Sequence, residues 1–140
     1  MPLDYLVLGL NHRTAPLEVR ERLSLTKADL PEALRTMERF GVPGVILSTC
    51  NRSEFYVLEP VDSTGSPPPD GTDEARIKEF LVEQFNVSLP EIERYLYAHS
   101  GRQCIIHLFR VASGLDSMIL GEEQIIGQVR EAYDAGLKAG

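Results

Sequence analysis

The stretch LSTCNRSEFY, residues 47–56, sets a thiol, an amide and a guanidinium side by side at Cys50, Asn51 and Arg52. Val45, Ile46 and Leu47 lead into it and Phe55, Tyr56 and Val57 lead out, all β-forming residues. A short hairpin would ordinarily turn on Asn-Gly, Asp-Gly or Gly-X, and this junction has neither glycine nor proline. Two readings of Cys50 stand side by side. A lone cysteine closing a strand is commonly a small buried apolar residue. A cysteine at a strand end with a cation two residues on is also how a nucleophilic thiolate is built. At its ordinary pKa a free cysteine is only about 3% thiolate at pH 7, and lowering that pKa by two units gives roughly 75%. Arg52 is the candidate cation, and Thr49 and Asn51 add hydrogen-bonding groups on either side. Cys104 lies in an apolar helical stretch and reads as core.

The other candidates are spread along the chain. His99 ends a strand beside Ser100 and Gly101, where a cleft-facing and a surface position are both open. His12 follows the first strand directly and would line the same sheet edge as Cys50. His107, between Gln103 and Arg110, falls on the polar side of its helix and reads as structural or solvated. Gln124 and Gln128, four residues apart, point the same way from the last helix, either as a solvated face or as a wall of amides toward a polar ligand. Ser117 and Glu122 lie just before that helix, where donors and acceptors gather around a helix start. Three separated histidines and two cysteines give neither a CxxC nor an HExxH spacing, so no metal is expected.

These residues need elements to hold them. Tyr5 to Leu10 reads as a strand, and Pro16 suits the first turn of a short helix over LEVRERLSL. Thr26 as N-cap, Asp29 three residues on and a Leu25–Leu30 staple predict a helix carrying Leu34 and Met37, stopped by Gly41 and Pro43. The two strands around Cys50 come next. Residues 61–73, VDSTGSPPPDGTD, read as an exposed flexible loop. A helix from Asp73 to Phe85 would bury Ile77, Phe80, Leu81 and Phe85. Ser88 and Glu91 have the capping-box pattern, and residues 94–100 alternate as a short strand. RQCIIHLFRVASG predicts a helix with Cys104, Ile105, Leu108, Phe109 and Ala112 as its inner stripe and Gly114 as C-cap. A last helix would turn Ile125, Val129, Tyr133 and Leu137 inward. The fold class expected is α+β: a small, mainly antiparallel sheet with helices packed on it, followed by C-terminal helices.

At 140 residues, 43% hydrophobic and 25% charged, the chain has the size and composition of one soluble domain. No apolar run is long enough to span a bilayer and no signal-peptide pattern opens the chain, so no membrane association and a cytoplasmic location are expected, with free thiols. The net charge of −7 makes a poor non-specific binder of nucleic acid, because phosphate contacts need clustered Lys and Arg.

Three strings carry a family resemblance: GLNHRTAPLEVRERL at 9–23, LSTCNRSEFY at 47–56 and HLFRVASGLDSMILGEEQIIGQVREAY at 107–133. Together they resemble the N-terminal catalytic domain of glutamyl-tRNA reductase. The resemblance implies NADPH-dependent reduction of glutamyl-tRNA(Glu) to glutamate-1-semialdehyde, an early step of tetrapyrrole (porphyrin) biosynthesis. It implies Cys50 as the nucleophile that forms a thioester, His99 as the histidine important for activity, and Arg52 as a fork for the glutamate carboxylate. Thr49, Asn51, Ser117, Glu122, Glu123, Gln124 and Gln128 fall at its substrate-binding positions, with Glu123 where the family usually has proline. A homodimer and a downstream partner, glutamate-1-semialdehyde aminomutase, are implied too. Family members are longer, with an NADPH-binding domain and a dimerisation domain. No GxGxxG follows a strand here, so residues 1–140 are expected to be the catalytic domain alone, with at most esterase activity. A cysteine hydrolase or acyltransferase, and a non-enzymatic RNA-binding module, are the competing readings.

Overall fold

The computed structural model describes residues 3–60 and 72–113. Its sheet has four antiparallel strands: β1 (Leu3–Asn11), β2 (Gly44–Ser48), β3 (Arg52–Pro60) and β4 (Tyr97–Ser100), in the order β2-β3-β1-β4. Helices α1 (Leu17–Arg22) and α2 (Leu30–Arg39) fall between β1 and β2. Helices α3 (Thr72–Phe85) and α4 (Leu89–Ile92) and a 3-10 turn (Glu93–Tyr95) precede β4, and α5 (Arg102–Ala112) follows it. The α+β expectation with an antiparallel sheet therefore holds; the expected last helix lies outside the described residues.

Strand alternation sorts the sheet into two faces, because residues opposite each other in register project to the same side. Leu6 faces Val57 and Leu8 faces Phe55. With Ile46 they meet Met37 of α2, Ile77, Phe80 and Leu81 of α3 and Ile92 of α4 in one buried core. Phe55, Phe80 and Phe85 pack edge-to-face, with centroids 5.6 to 6.3 Å apart. The opposite face follows the other parity. Gly9 lies between Glu54 and Tyr97, Val7 between Tyr56 and His99, and Asn11 opposite Arg52. Helix α5 covers part of this face with Cys104, His107 and Val111, and Val111 packs with Leu47.

Several local expectations need correction. α2 starts at Leu30 with Asp29 at its cap, one turn later than Thr26; the Thr26 hydroxyl instead donates to the Asp29 carboxylate at 2.7 Å, so the pair closes the preceding turn. Pro16 is the N-cap of α1, not a first-turn residue. Ser88 caps α4 by position, but its hydroxyl donates to the Glu91 side chain at 2.7 Å, so the two side chains meet each other. The strand expected from residue 94 begins only at Tyr97, since Glu93–Tyr95 wind into a 3-10 turn. The largest correction concerns α5. Ile105, Leu108 and Phe109, expected inside, are exposed, Phe109 by 70%. The helix is rotated so that Cys104, His107 and Val111 face the sheet, because that side must meet a polar surface and His107 is the residue that can pair with it. Of the loop expected over 61–73, residues 72 and 73 instead open α3, and 61–71, like the Gly114 cap, lie outside the described residues.

Candidate active site

The junction between β2 and β3 turns without glycine because a threonine side chain does part of the work. Thr49 donates its N–H to Arg52 O at 2.8 Å, and its Oγ1 accepts the N–H groups of Asn51 and Arg52 at 3.1 and 3.2 Å. Neither Cys50 nor Asn51 has a positive φ, so the tip is not a primed hairpin turn. A side-chain acceptor substitutes for the missing backbone bond, as Ser and Thr do in local turns. Cys50 is left exposed at the tip and is a free thiol; Cys104 is also free and buried.

The turn is braced from α1. Ser48 Oγ accepts Leu25 N–H at 2.9 Å and Ser53 Oγ donates to Leu23 O at 2.8 Å, tying the segment after α1 to both strands of the hairpin. This brings Arg20 onto the turn, where Nη1 donates to Cys50 O at 3.1 Å and to Asn51 Oδ1 at 3.4 Å. Sequence reasoning missed Arg20, which reads as one charged position of a short helix. Arg52, the expected companion of Cys50, is 1% exposed, and its Nη1 lies 3.5 Å from Glu54 Oε2. Their i, i+2 spacing on one strand was the available signal: alternation puts Arg52, Glu54 and Tyr56 on one face. At the end of β1 beside them, Asn11 Oδ1 accepts the N–H groups of Arg13 and Thr14 at 2.9 and 3.2 Å, and His12 is half-buried in that turn.

Glu54 is the centre of the polar face and is fully buried. Oε1 accepts Tyr56 OH at 2.8 Å, Oε2 accepts Tyr97 OH at 2.5 Å, and His107 Nε2 also meets Oε2. Burial pushes this carboxyl up, but the hydrogen bond and charge of His107, the Arg52 guanidinium and the Tyr97 hydroxyl outweigh it and hold it below the usual carboxylate range. Burial, and then the Glu54 charge, push the Tyr56 phenol up, so it stays protonated. The carboxylate reaches the far strand across Gly9: a Cβ there would lie 2.6 Å from Ser53 O and 2.9 Å from Glu54 Cγ. His107, read as structural or solvated, is a buried partner of Glu54, and its solvated reading is wrong. His99 is half-buried and packs at a tilt against both Tyr97 and His107, at centroid distances of 5.5 and 4.9 Å, and those two rings also touch each other at 5.3 Å.

The structure thus gathers Thr49, Cys50, Asn51 and Arg52 at one turn but not His99, which lies on the polar sheet face two strands from β3 and level with Tyr56, four residues along from Arg52; Ser117, Glu122, Glu123, Gln124 and Gln128 lie outside the described residues. Among the described residues no group of three or more metal-ligating side chains occurs. No helix there is long and apolar enough to cross a membrane. Fold and site define an antiparallel α+β domain that presents an exposed thiol on a guanidinium-braced turn.

Comparison with known proteins names the family. The profile described as "Glutamyl-tRNAGlu reductase, N-terminal domain" matches residues 8–140. Glutamyl-tRNA reductase of Syntrophotalea carbinolica is 46% identical over 134 residues, covering 94% of this chain and 28% of that protein. That of Heliobacterium mobile is 47% identical over 129 residues, covering 91% and 27%. The solved structure of glutamyl-tRNA reductase from Methanopyrus kandleri superposes with a TM-score of 0.69 at 31% identity, over 98% of this chain and 29% of that one. The chain belongs to the glutamyl-tRNA reductase family and corresponds to its N-terminal domain, spanning under a third of the length of these relatives.

Proposed function

We propose that this chain is the thioester-forming domain of a glutamyl-tRNA reductase. The observation that carries the reading is the exposed Cys50 thiol at a turn fixed by Thr49 and Arg20, in a chain of this family. The Cys50 sulfur attacks the glutamyl ester carbonyl, the new S–C bond forms, and the ester C–O bond breaks. The tRNA ribose hydroxyl leaves with a proton, which His99, an imidazole on the same sheet face, is suited to supply. Guanidinium forks match carboxylates: half-buried Arg20 is the accessible fork at the turn, and Arg52, buried at 3.5 Å from Glu54, exchanges part of that pairing to serve the glutamate carboxylate. Thr49, Asn51, Ser117, Glu122, Glu123, Gln124 and Gln128 complete the proposed pocket.

Reduction of the thioester to glutamate-1-semialdehyde is the chemistry that NADPH supplies when bound. The sequence contains no GxGxxG turn, so none of its residues is assigned to the cofactor and no step is derived through it. Glutamyl-tRNA(Glu) as substrate, an NADPH-binding and a dimerising domain in the whole protein, and hand-over of the aldehyde to an aminomutase belong to the same reading. Two free cysteines suit a reducing, cytoplasmic setting.

The test is mass analysis of the 140-residue chain after mixing with glutamyl-tRNA. A glutamyl mass on the peptide containing Cys50, absent in Cys50→Ser, is expected, together with slow release of glutamate and no semialdehyde. An undiminished adduct in Cys50→Ser would overturn the assigned nucleophile. Equal reaction with unrelated esters would favour a general cysteine hydrolase.

A further inference from the structure

Besides Arg52, the thioester reading uses only His99 from the polar face, yet the structure surrounds that ring with a built assembly. Glu54 is ionised and can only accept hydrogen bonds, so His107 Nε2 carries the hydrogen shared with Oε2. That bond fixes the orientation of the His107 ring on α5. The ring packs against His99 with centroids 4.9 Å apart at 34°, and against Tyr97 at 5.3 Å. Tyr97 itself packs on His99 at 5.5 Å, and its hydroxyl donates to the same Oε2. His99, Tyr97 and His107 therefore form a triangle of mutual ring contacts, and the two rings that touch His99 are each tethered to one buried carboxylate oxygen. Gly9 completes the arrangement, since any side chain there would displace Glu54.

We propose that His107, oriented by Glu54, is a positioning residue that sets how the His99 imidazole is presented on the sheet face. This rests on the reading of His99 as the histidine of the thioester step. Among the described residues, the charged or titratable groups on the elements packed against His99 include Tyr97 from β4, His107 and Cys104 from α5 and, bonded to these rings, Glu54 with Arg52 from β3; its β1 neighbour in register, Val7, is uncharged.

The experiment is a histidine ring NMR titration of the 140-residue chain. In the wild type, cross-relaxation is expected between His99 and His107 ring protons. His107→Gln keeps an N–H donor for Glu54 but removes the ring. It should raise the His99 midpoint by about half a pH unit or more, because the ring that packs on His99 and pairs with the Glu54 charge is gone, and leave His12 unchanged. His107→Phe keeps a flat ring and should retain ring–ring contact with His99. A wild type without ring–ring cross-relaxation would overturn the proposal, as would a midpoint in His107→Gln within about 0.1 unit of wild type. Should His107→Gln fail to fold, the wild-type measurement decides alone. These readouts use no substrate, so a missing glutamyl adduct would count against the thioester reading without touching them. Where the adduct forms, His107→Gln and His99→Ala should slow it non-additively, and additive losses would count against positioning.

Discussion

One strand, β3, is shared by two chemically opposed halves of the molecule. Toward α2 and α3 it turns Phe55 and Val57 into an apolar core; toward α5 it turns buried Arg52 and Glu54 and half-buried Tyr56 into a polar cluster. Both halves bury their central residues, but they are held by different forces. The first gains from area removed from water and from close packing, which depend little on pH. The second must offset the desolvation of a carboxylate and a guanidinium with hydrogen bonds, so it is stable only while every partner is present. Burial therefore does not separate core from site here. The identity of what compensates the buried group does.

The largest effects should come from removing the centre of each half. Phe55→Ala leaves a cavity beside Phe80 and Phe85, and Glu54→Ala leaves Arg52 buried without its carboxylate. Each is expected to cost about 3–5 kcal/mol in chemical denaturation at pH 7. Their pH signatures should separate them. The folded pKa of Glu54 lies below its ordinary value of 4.5, so the unfolded chain binds more protons between the two values. The contribution of Glu54 is present above that ordinary value and is lost as pH falls through the lowered folded one. The gap between wild type and Glu54→Gln should accordingly narrow under acid, while the gap to Phe55→Ala stays level. A Glu54→Gln gap that is flat with pH would mean that the cluster is not held by the ionised carboxylate.

A smaller loss, about 1–3 kcal/mol, is expected of Gly9→Ala, because the added Cβ meets Ser53 O and the Glu54 side chain within 3 Å. The double variant Gly9→Ala/Glu54→Gln should lose less than the sum, since both act on the same contact. Full additivity would show that the glycine serves the backbone alone. At the hairpin tip stability should hardly change while reactivity does: a limiting alkylating reagent at pH 7 should label exposed Cys50 before buried Cys104. Equal labelling would show that α5 opens readily from the sheet. The smallest effect is expected on the outer side of α5, where Phe109→Ser should stay within about 0.5 kcal/mol of wild type. A loss several times larger would mean that this surface is covered in the complete chain.

The alternation of apolar residues in β1, β2 and β3, the spacing of Ile77, Phe80 and Leu81, and the polar knot around Cys50 were sufficient for an antiparallel α+β domain and for its principal candidate nucleophile. Those features are local, and local periodicity reports which face of an element is apolar. Cys104 is buried as expected, but the rotation of α5 was not legible, because Ile105, Leu108 and Phe109 make a stronger apolar stripe than His107 and Val111, which are buried with Cys104 instead. Only the sheet decides between them: β3 and β4 turn a carboxylate and two tyrosines toward the helix, and a histidine satisfies that surface where leucine or phenylalanine would strand it. The same holds for the two arginines. Sequence proximity ties Arg52 to Cys50, but the strand pleat sends Arg52 to Glu54, and a tertiary clasp through Ser48 and Ser53 delivers Arg20 to the turn. The sequence alone marked Cys50 and its neighbours as candidates, and left Arg20 and His107 unmarked. The pairing of strands decided which of them meet, because register is set by contacts between segments far apart in the chain.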